Sequence, residues 1–278
     1  MIGRRTRIAA GICAYNEQDY IVYAIRAIYD FADAIAVSVS TKPWSGGGEL
    51  PDRTLDLVRE FPDPAGKLRI QTGQWTTETD QRNANLEMVR GAAEYYMIVD
   101  ADEIYTREGL SRLRSYVAWR PHIGQFRMRF RTYWKTNPFY VIDPPEPLKA
   151  YTITRVRPTT RFVGLRRTNE RWRRAIPRRV VECHHFSYAR PNESVLRKIR
   201  SFSHRGELVP NWYENVWLRW DEDHSLENLH PVHPAEYKRA VPADIDSLPE
   251  VMRDHPFARW HPPEFDNRWC LGLDLPRP

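Results

Sequence analysis

The 278-residue sequence predicts an α/β fold: a mixed, mostly parallel, Rossmann-like sheet flanked by helices, with a helical or irregular C-terminal extension. Three observations carry this. Short apolar runs alternate with amphipathic helical stretches through the first 100 or so residues. A strictly alternating strand then opens the second half. The last 45 or so residues are rich in proline and read as an irregular tail.

Taken in order, RIAAGICAY at 7–15 is a first buried strand. Asn16, Glu17 and Asp19 lead into a helix whose apolar positions Ile21, Ala24, Ile25 and Ile28 repeat at helical spacing. AIAVSVS at 34–40 is the second strand, and the loop PWSGGGELPD leads to the helix RTLDLVREF. KLRIQT at 67–72 is the third strand, RNANLEMVRGAAE the next helix and YYMIVDA the fourth strand. Strands joined by crossover helices pair in parallel, and such sheets bind ligands at the carboxyl ends of their strands. In QFRMRFRTYW, 125–134, Phe126, Met128 and Phe130 share one face and Arg127, Arg129 and Arg131 the other. NESVLRKIRSFSHRG reads as a helix, and WYENVWLRW as a possible further one. No repeat or linker interrupts the chain, so one continuous domain is expected.

Composition is ordinary for a globular protein, at 41% hydrophobic and 28% charged. No apolar run approaches the ~18 residues of a membrane span, and residues 1–10 hold no signal-peptide core. Cys13, Cys183 and Cys270 are odd in number and scattered, so the expected location is a reducing cytoplasm. The net charge of +6 is unevenly spread: −5 over residues 1–110, +17 over 111–210 and −6 over 211–278. Coding bias can replace lysine by arginine, but it does not remove acids from the middle third. The basic block therefore points to an anionic partner.

The stretch YYMIVDADEIYT, 95–106, drives a buried strand straight into Asp100, Asp102 and Glu103. Desolvation penalises carboxylates there unless something neutralises them, and a divalent cation is the expected partner.

The order CAYNEQDYI, DQRNANLEMV, MIVDADEI, HHFSYARP resembles a family 2 glycosyltransferase with the GT-A fold, over about residues 7–190, with a weaker echo in the HPVHP of the tail. The resemblance implies a metal-dependent, inverting enzyme that moves a sugar from a nucleoside diphosphate donor, UDP-linked, with Mn²⁺ or Mg²⁺ bridging the diphosphate. It makes residues 1–125 the nucleotide-sugar-binding half, and 126–278 the acceptor-binding half with the extension. Carried over position by position, Ala14, Tyr15, Glu17, Arg82, Asp100 and Asp102 bind the donor. Asp102 is the direct metal ligand, with Asp100 on ribose or metal-bound water and Glu103 orienting the site. His185 is a third ligand, with the adjacent His184 as its rival. Glu170 in RRTNERWRR is the general base, although Asn169 replaces the family's histidine beside it; Asp143 and Glu182 are the alternatives. Acids that read uracil usually follow the second strand, whereas here SVSTKPWSGGG intervenes and Asp52 comes only after it.

Acceptors in similar enzymes contact the half after the DxD. Here that half is the basic block, with Arg127, Arg129, Arg131, Trp134 and Arg167 as the expected contacts. Arginines interleaved with aromatics suit nucleic acid, so the preferred acceptor is a hydroxylated base in DNA. A bacterial envelope glycan or lipid-linked sugar is the alternative within the class. A nucleotidyltransferase and a non-catalytic nucleic-acid-binding protein are the alternatives outside it.

Overall fold

The computed structural model describes residues 5–46, 51–136, 138–201, 205–222 and 226–258. Cys270 and the end of the tail lie outside them. The first half alternates as the sequence requires: β1 (Ile8–Ala14), α1 (Ile21–Tyr29), β2 (Ala34–Ser40), α2 (Thr54–Glu60), β3 (Leu68–Gly73), α3 (Glu78–Val89) and β4 (Tyr95–Asp100). β3, β2, β1 and β4 lie side by side in that order, all parallel. β1 and β2 are buried on both faces, which is why they read as continuous apolar runs. Gly11 leaves room beside β1 for the Tyr96 side chain of β4. A Cβ there would fall on the ring of Tyr96.

Beyond β4 the sheet turns antiparallel. β5 (Glu103–Ile104), α4 (Arg107–Ala118), β6 (Gln125–Trp134), β7 (Tyr140–Asp143) and β8 (Lys149–Arg155) follow, then β9 (Arg173–Ala175), β10 (Cys183–Tyr188), α5 (Asn192–Ser201) and β11 (Arg239–Pro242). β8 joins β4 to β6, and β7 and β11 extend the edge, all in antiparallel pairs. β9 and β10 pair in parallel with β6. This is the mixed sheet expected, parallel through its first half and mainly antiparallel after it.

Two elements depart from the sequence reading. α4 went unrecognised, although Leu110, Leu113 and Val117 fall on its buried face and the Thr106 hydroxyl accepts from the Gly109 amide at its start. The tail is less irregular than its prolines suggest. It supplies β11, a four-residue edge strand ending in Pro242, an edge being where a strand tolerates proline. The stretch WYENVWLRW forms only a wide helical turn, Tyr213–Trp217.

Trp134, expected on an acceptor surface, is in the core instead. Its ring is fully buried and meets Trp217 edge-on at 4.8 Å, Trp212 at 6.1 Å and Trp220 at 6.2 Å. The alternation that leaves Arg127, Arg129 and Arg131 half-buried ends at Thr132; from there β6 is flanked by β10 along one edge and β7 along the other, and Thr132, Tyr133 and Trp134 are all buried. Trp134→Ala should cost about 3–5 kcal/mol of stability, measured by denaturant unfolding. A loss under about 1 kcal/mol would contradict this packing role.

His255 ties the tail to α1. Its ring stacks on Tyr20 at 4.8 Å, its Nδ1 accepts from the Phe257 amide at 3.1 Å, and its Nε2 lies 2.9 Å from the Asp19 carbonyl. Burial pushes its pKa down to about 4, against the backbone bond to Asp19 and with the help of Arg190. The unfolded imidazole therefore takes up a proton at higher pH than the folded one. Its contribution is complete above pH ~6.5 and is lost as pH falls towards about 4. His255→Gln should lose less stability than the parent between pH 7.5 and 4.5, by up to about 3 kcal/mol in denaturant melts.

Candidate active site at the carboxyl end of the parallel strands

A cavity of about 510 Å³ opens where β1 and β4 end. The backbone geometry that builds it is local and then long-range. Asn16 takes a left-handed conformation (φ 54°), tolerable for its short polar side chain, and turns the chain sharply out of β1. Tyr15, Asn16 and Glu17 thereby line the cavity, while Ala14 stays buried in the strand behind them. Asp100 ends β4 opposite Cys13 of β1. Asp102 and Glu103 follow in the next turn, where β5 pairs with β10 and the Phe186 amide donates to the Asp102 carbonyl at 2.9 Å. That backbone lacing brings HHFS, over 80 residues downstream, against the DxD turn.

Strand alternation settles which histidine faces the acids. His185 points into the cavity, its Nε2 3.7 Å from Asp102 Oδ1. His184 points the other way, where its Nδ1 meets the Tyr133 hydroxyl at 2.9 Å. Burial keeps both imidazoles neutral, pushing His185 down to about 4 and His184 to about 3. The buried His185 Nδ1 has no hydrogen-bond partner among the described residues.

The carboxylates are neutralised by side chains to an extent the sequence did not reveal. Arg82 of α3, 1% exposed, donates to Glu78 and to Asp100 Oδ1, both at 2.8 Å. Arg166 reaches up from the β8–β9 connection to Asp100 Oδ2 and Glu103 Oε1. Lys198 of α5 lies 2.6 Å from Asp102 Oδ2, and Arg190 bonds Asp102 at 3.1 Å, Asp19 at 3.4 Å and Glu17. Burial would raise Asp100, but Arg166 and Arg82 overcome it and hold the carboxyl well below its usual range. Burial would raise Asp102 too, but Lys198 and Arg190 overcome it. Glu103 is different: burial prevails over Arg166 and lifts it to about 7.

Six carboxylates (Glu17, Asp19, Glu78, Asp100, Asp102, Glu103) thus share four cations, and full ionisation leaves two negative charges uncompensated. Among the described residues no three His, Cys, Asp or Glu side chains are placed to hold a metal ion by themselves. Asp102 and His185 converge; Asp100 does not join them as expected, because each of its oxygens is already held by an arginine. A hard divalent cation that takes one or two protein ligands and completes its shell with substrate phosphates and water fits this pair. Two cations on the cavity wall, Lys42 and Arg197, have no acidic partner among the described residues.

Several expected residues lie elsewhere. Glu170 sits beside Gly124, at the amino end of β6 and therefore at the opposite end of the sheet from Asp102. It is bonded to Arg157 and to Thr160 (2.6 Å), so it is the buried half of a structural ion pair rather than the base of this cavity. Its alternatives are also engaged away from the lining: Asp143 with Arg239 at 2.6 Å, Glu182 with Arg131 at 2.9 Å. Arg127, Arg129 and Arg131 are half-buried along β6 and Arg167 is exposed, and none of them lines the cavity. Asp52 accepts from the Thr54 and Gln18 amides, at 2.8 and 3.2 Å, and so fastens α2 to the turn after β1.

No family model matches the chain, and no curated protein is similar to it. Among solved structures, residues 1–349 of TarS of S. aureus align with a TM-score of 0.42 at 13% identity, over 70% of this chain and 66% of that 1–349 chain. The same TarS region in complex with UDP aligns over 46% of this chain and 36% of the 1–349 chain, at 18% identity and a TM-score of 0.35. Its complex with UDP-GlcNAc aligns over 46% and 35%, at 18% identity and a TM-score of 0.34. The chain thus spans at most two thirds of these TarS chains.

Glu170→Gln should lower stability by about 1–3 kcal/mol in thermal or denaturant melts, since it leaves Thr160 and Arg157 poorly matched. Nucleotide affinity of the cavity should stay the same. A 100-fold fall in affinity at unchanged stability would place Glu170 back at the site.

Proposed function

We propose that the chain is an inverting, metal-dependent glycosyltransferase that takes a nucleoside diphosphate sugar, UDP-linked, as donor. One observation carries the reading. Asp102 and His185 converge at the end of β4 in a cavity that also presents Lys42 and Arg197, cations with no acidic partner among the described residues. Asp102 and His185 would hold Mn²⁺ or Mg²⁺. When bound, the ion stabilises the negative charge that builds on the departing nucleoside diphosphate.

The chain's own groups do the rest. Lys42 and Arg197 bind the phosphate oxygens as charge-assisted donors. Arg82 and Arg166 fix the Asp100 carboxylate, which is left to accept from a ribose hydroxyl. Trp44, its indole N–H held by Gln81 at 2.7 Å, and Tyr15 present aromatic surface to the base. Among the described residues no free acid after β2 stands in the cavity to read a uracil, because Asp52 is bound into the start of α2. The choice of base therefore rests on shape and stacking.

The acceptor is a hydroxyl compound. The expectation of DNA rests on the charge of residues 111–210. Four of those basic residues, Arg166, Arg190, Arg197 and Lys198, reach the cavity, and all but Arg197 are already paired with acids. A glycan or lipid-linked sugar suits this modest surplus better than a duplex.

Incubation with mixed nucleotide-sugars and Mn²⁺, followed by mass spectrometry, should show nucleoside diphosphate release from one donor. Asp102→Asn should abolish that release while the fold is retained by circular dichroism, because Glu17 and Asp19 still pair with Arg190 and Glu17 lies near Lys198. Full Mn²⁺-dependent release by Asp102→Asn would overturn the assignment. Pyrophosphate release from a nucleoside triphosphate instead would identify a nucleotidyltransferase.

A further inference from the structure

We propose that Glu236, supplied by the C-terminal segment, is the general base that deprotonates the acceptor hydroxyl; this rests on the glycosyltransferase reading. An inverting transfer needs one group to take a proton as the acceptor oxygen attacks the anomeric carbon, and a carboxylate is suited to it. Every other carboxylate on the cavity wall is committed to a cation: Glu17 and Asp19 to Arg190, Glu78 to Arg82, Asp100 and Glu103 to Arg166, and Asp102 to Lys198. Glu236 alone lines the cavity with no ion-pair or side-chain hydrogen-bond partner among the described residues. It is half-buried, so it is accessible from the cavity without being open to bulk water on all sides.

The loop that carries Glu236 is held at both ends, as a catalytic position requires. The Asn228 and Leu229 amides donate to the Lys238 and Tyr237 carbonyls at 2.9 and 2.8 Å, closing the loop at its base. The buried Trp212 indole donates to the Leu229 carbonyl at 2.8 Å. Within the loop, His230 Nδ1 accepts from the Val232 and His233 amides at 3.0 and 2.8 Å, and the Glu236 amide donates to the His233 carbonyl at 2.9 Å. That pattern leaves the His230 proton on Nε2, so His230 can donate but not accept in the cavity. His233 is exposed to solvent. Glu236 is thus the proton acceptor that the fold positions. In the step, the acceptor oxygen bonds to the anomeric carbon and its proton passes to a Glu236 oxygen. The bond from that carbon to the diphosphate oxygen breaks, its electron pair leaving on the nucleoside diphosphate.

The test uses nucleophiles that do and do not carry a proton. Full-length protein is incubated with UDP-glucose and UDP-N-acetylglucosamine plus Mn²⁺, in water alone and with sodium azide, and UDP release is measured. Glu236→Gln should slow hydrolysis by roughly 10²- to 10⁴-fold. Release dependent on azide, which attacks without losing a proton, should match the parent, and UDP affinity should stay within about twofold. Glu170→Gln serves as a control and should hydrolyse like the parent. Unchanged hydrolysis by Glu236→Gln overturns the proposal. So does an equal loss of both reactions, which would mark Glu236 as a packing residue. If the parent protein releases no UDP in either condition, the donor reading fails and the base assignment falls with it.

Discussion

The structure depends on one electrostatic constraint. β4 carries carboxylates out of a fully apolar strand into a pocket where an unpaired charge would cost several kcal/mol. Four cations answer it, and they come from α3, from the β8–β9 connection, and from the end of β10 with α5. Those segments are far apart in the chain, so the ion-pair network adds side-chain links to the β4–β8 pairing that joins the second half of the molecule to the first. Such networks rarely add much net stability. Their value here is geometric: they fix Asp100 and leave one side of Asp102 facing His185.

The same constraint explains why the cavity sits where it does. Parallel strands β1 and β4 end side by side, and the left-handed turn at Asn16 opens space above them. β5 and β10 then lace the DxD turn to the histidine strand through backbone hydrogen bonds, which do not depend on side-chain identity. The C-terminal loop closes the remaining side, anchored through Trp212 to the cluster around Trp134 and through β11 to the sheet edge. Packing remote from the cavity therefore sets the position of its last wall.

Much of this was legible in the sequence. The parallel half follows from apolar runs and helical spacing, and β1, β2, β4 and β6 fall within a residue or so of their expected limits. Asp102 and His185 converge, with Arg82 on Asp100 beside them, because β4 ends, α3 begins and β10 passes at the same end of the sheet, where topology has little freedom. The partners of the acids were not legible. Arg166 stands in a run where nearly every second residue is arginine, and no local pattern separates it from Arg167, which is exposed. Glu170 misled for the same reason: its flanking arginines suggested a poised carboxylate, but the chain climbs to the cavity at Arg166 and has descended again by Glu170. α4 had a readable cap and apolar stripe. β11 is too short and too proline-bound to read.

The central claim is that the cavity binds a diphosphate and a divalent cation together, because its own ligands for the ion are too few. Calorimetric titration of UDP with and without Mn²⁺ tests it most directly. Mn²⁺ alone should bind weakly, UDP alone should bind weakly, and each should tighten the other by the same factor, at least about tenfold. Affinity for UDP that is identical with Mn²⁺ and with chelator would contradict it.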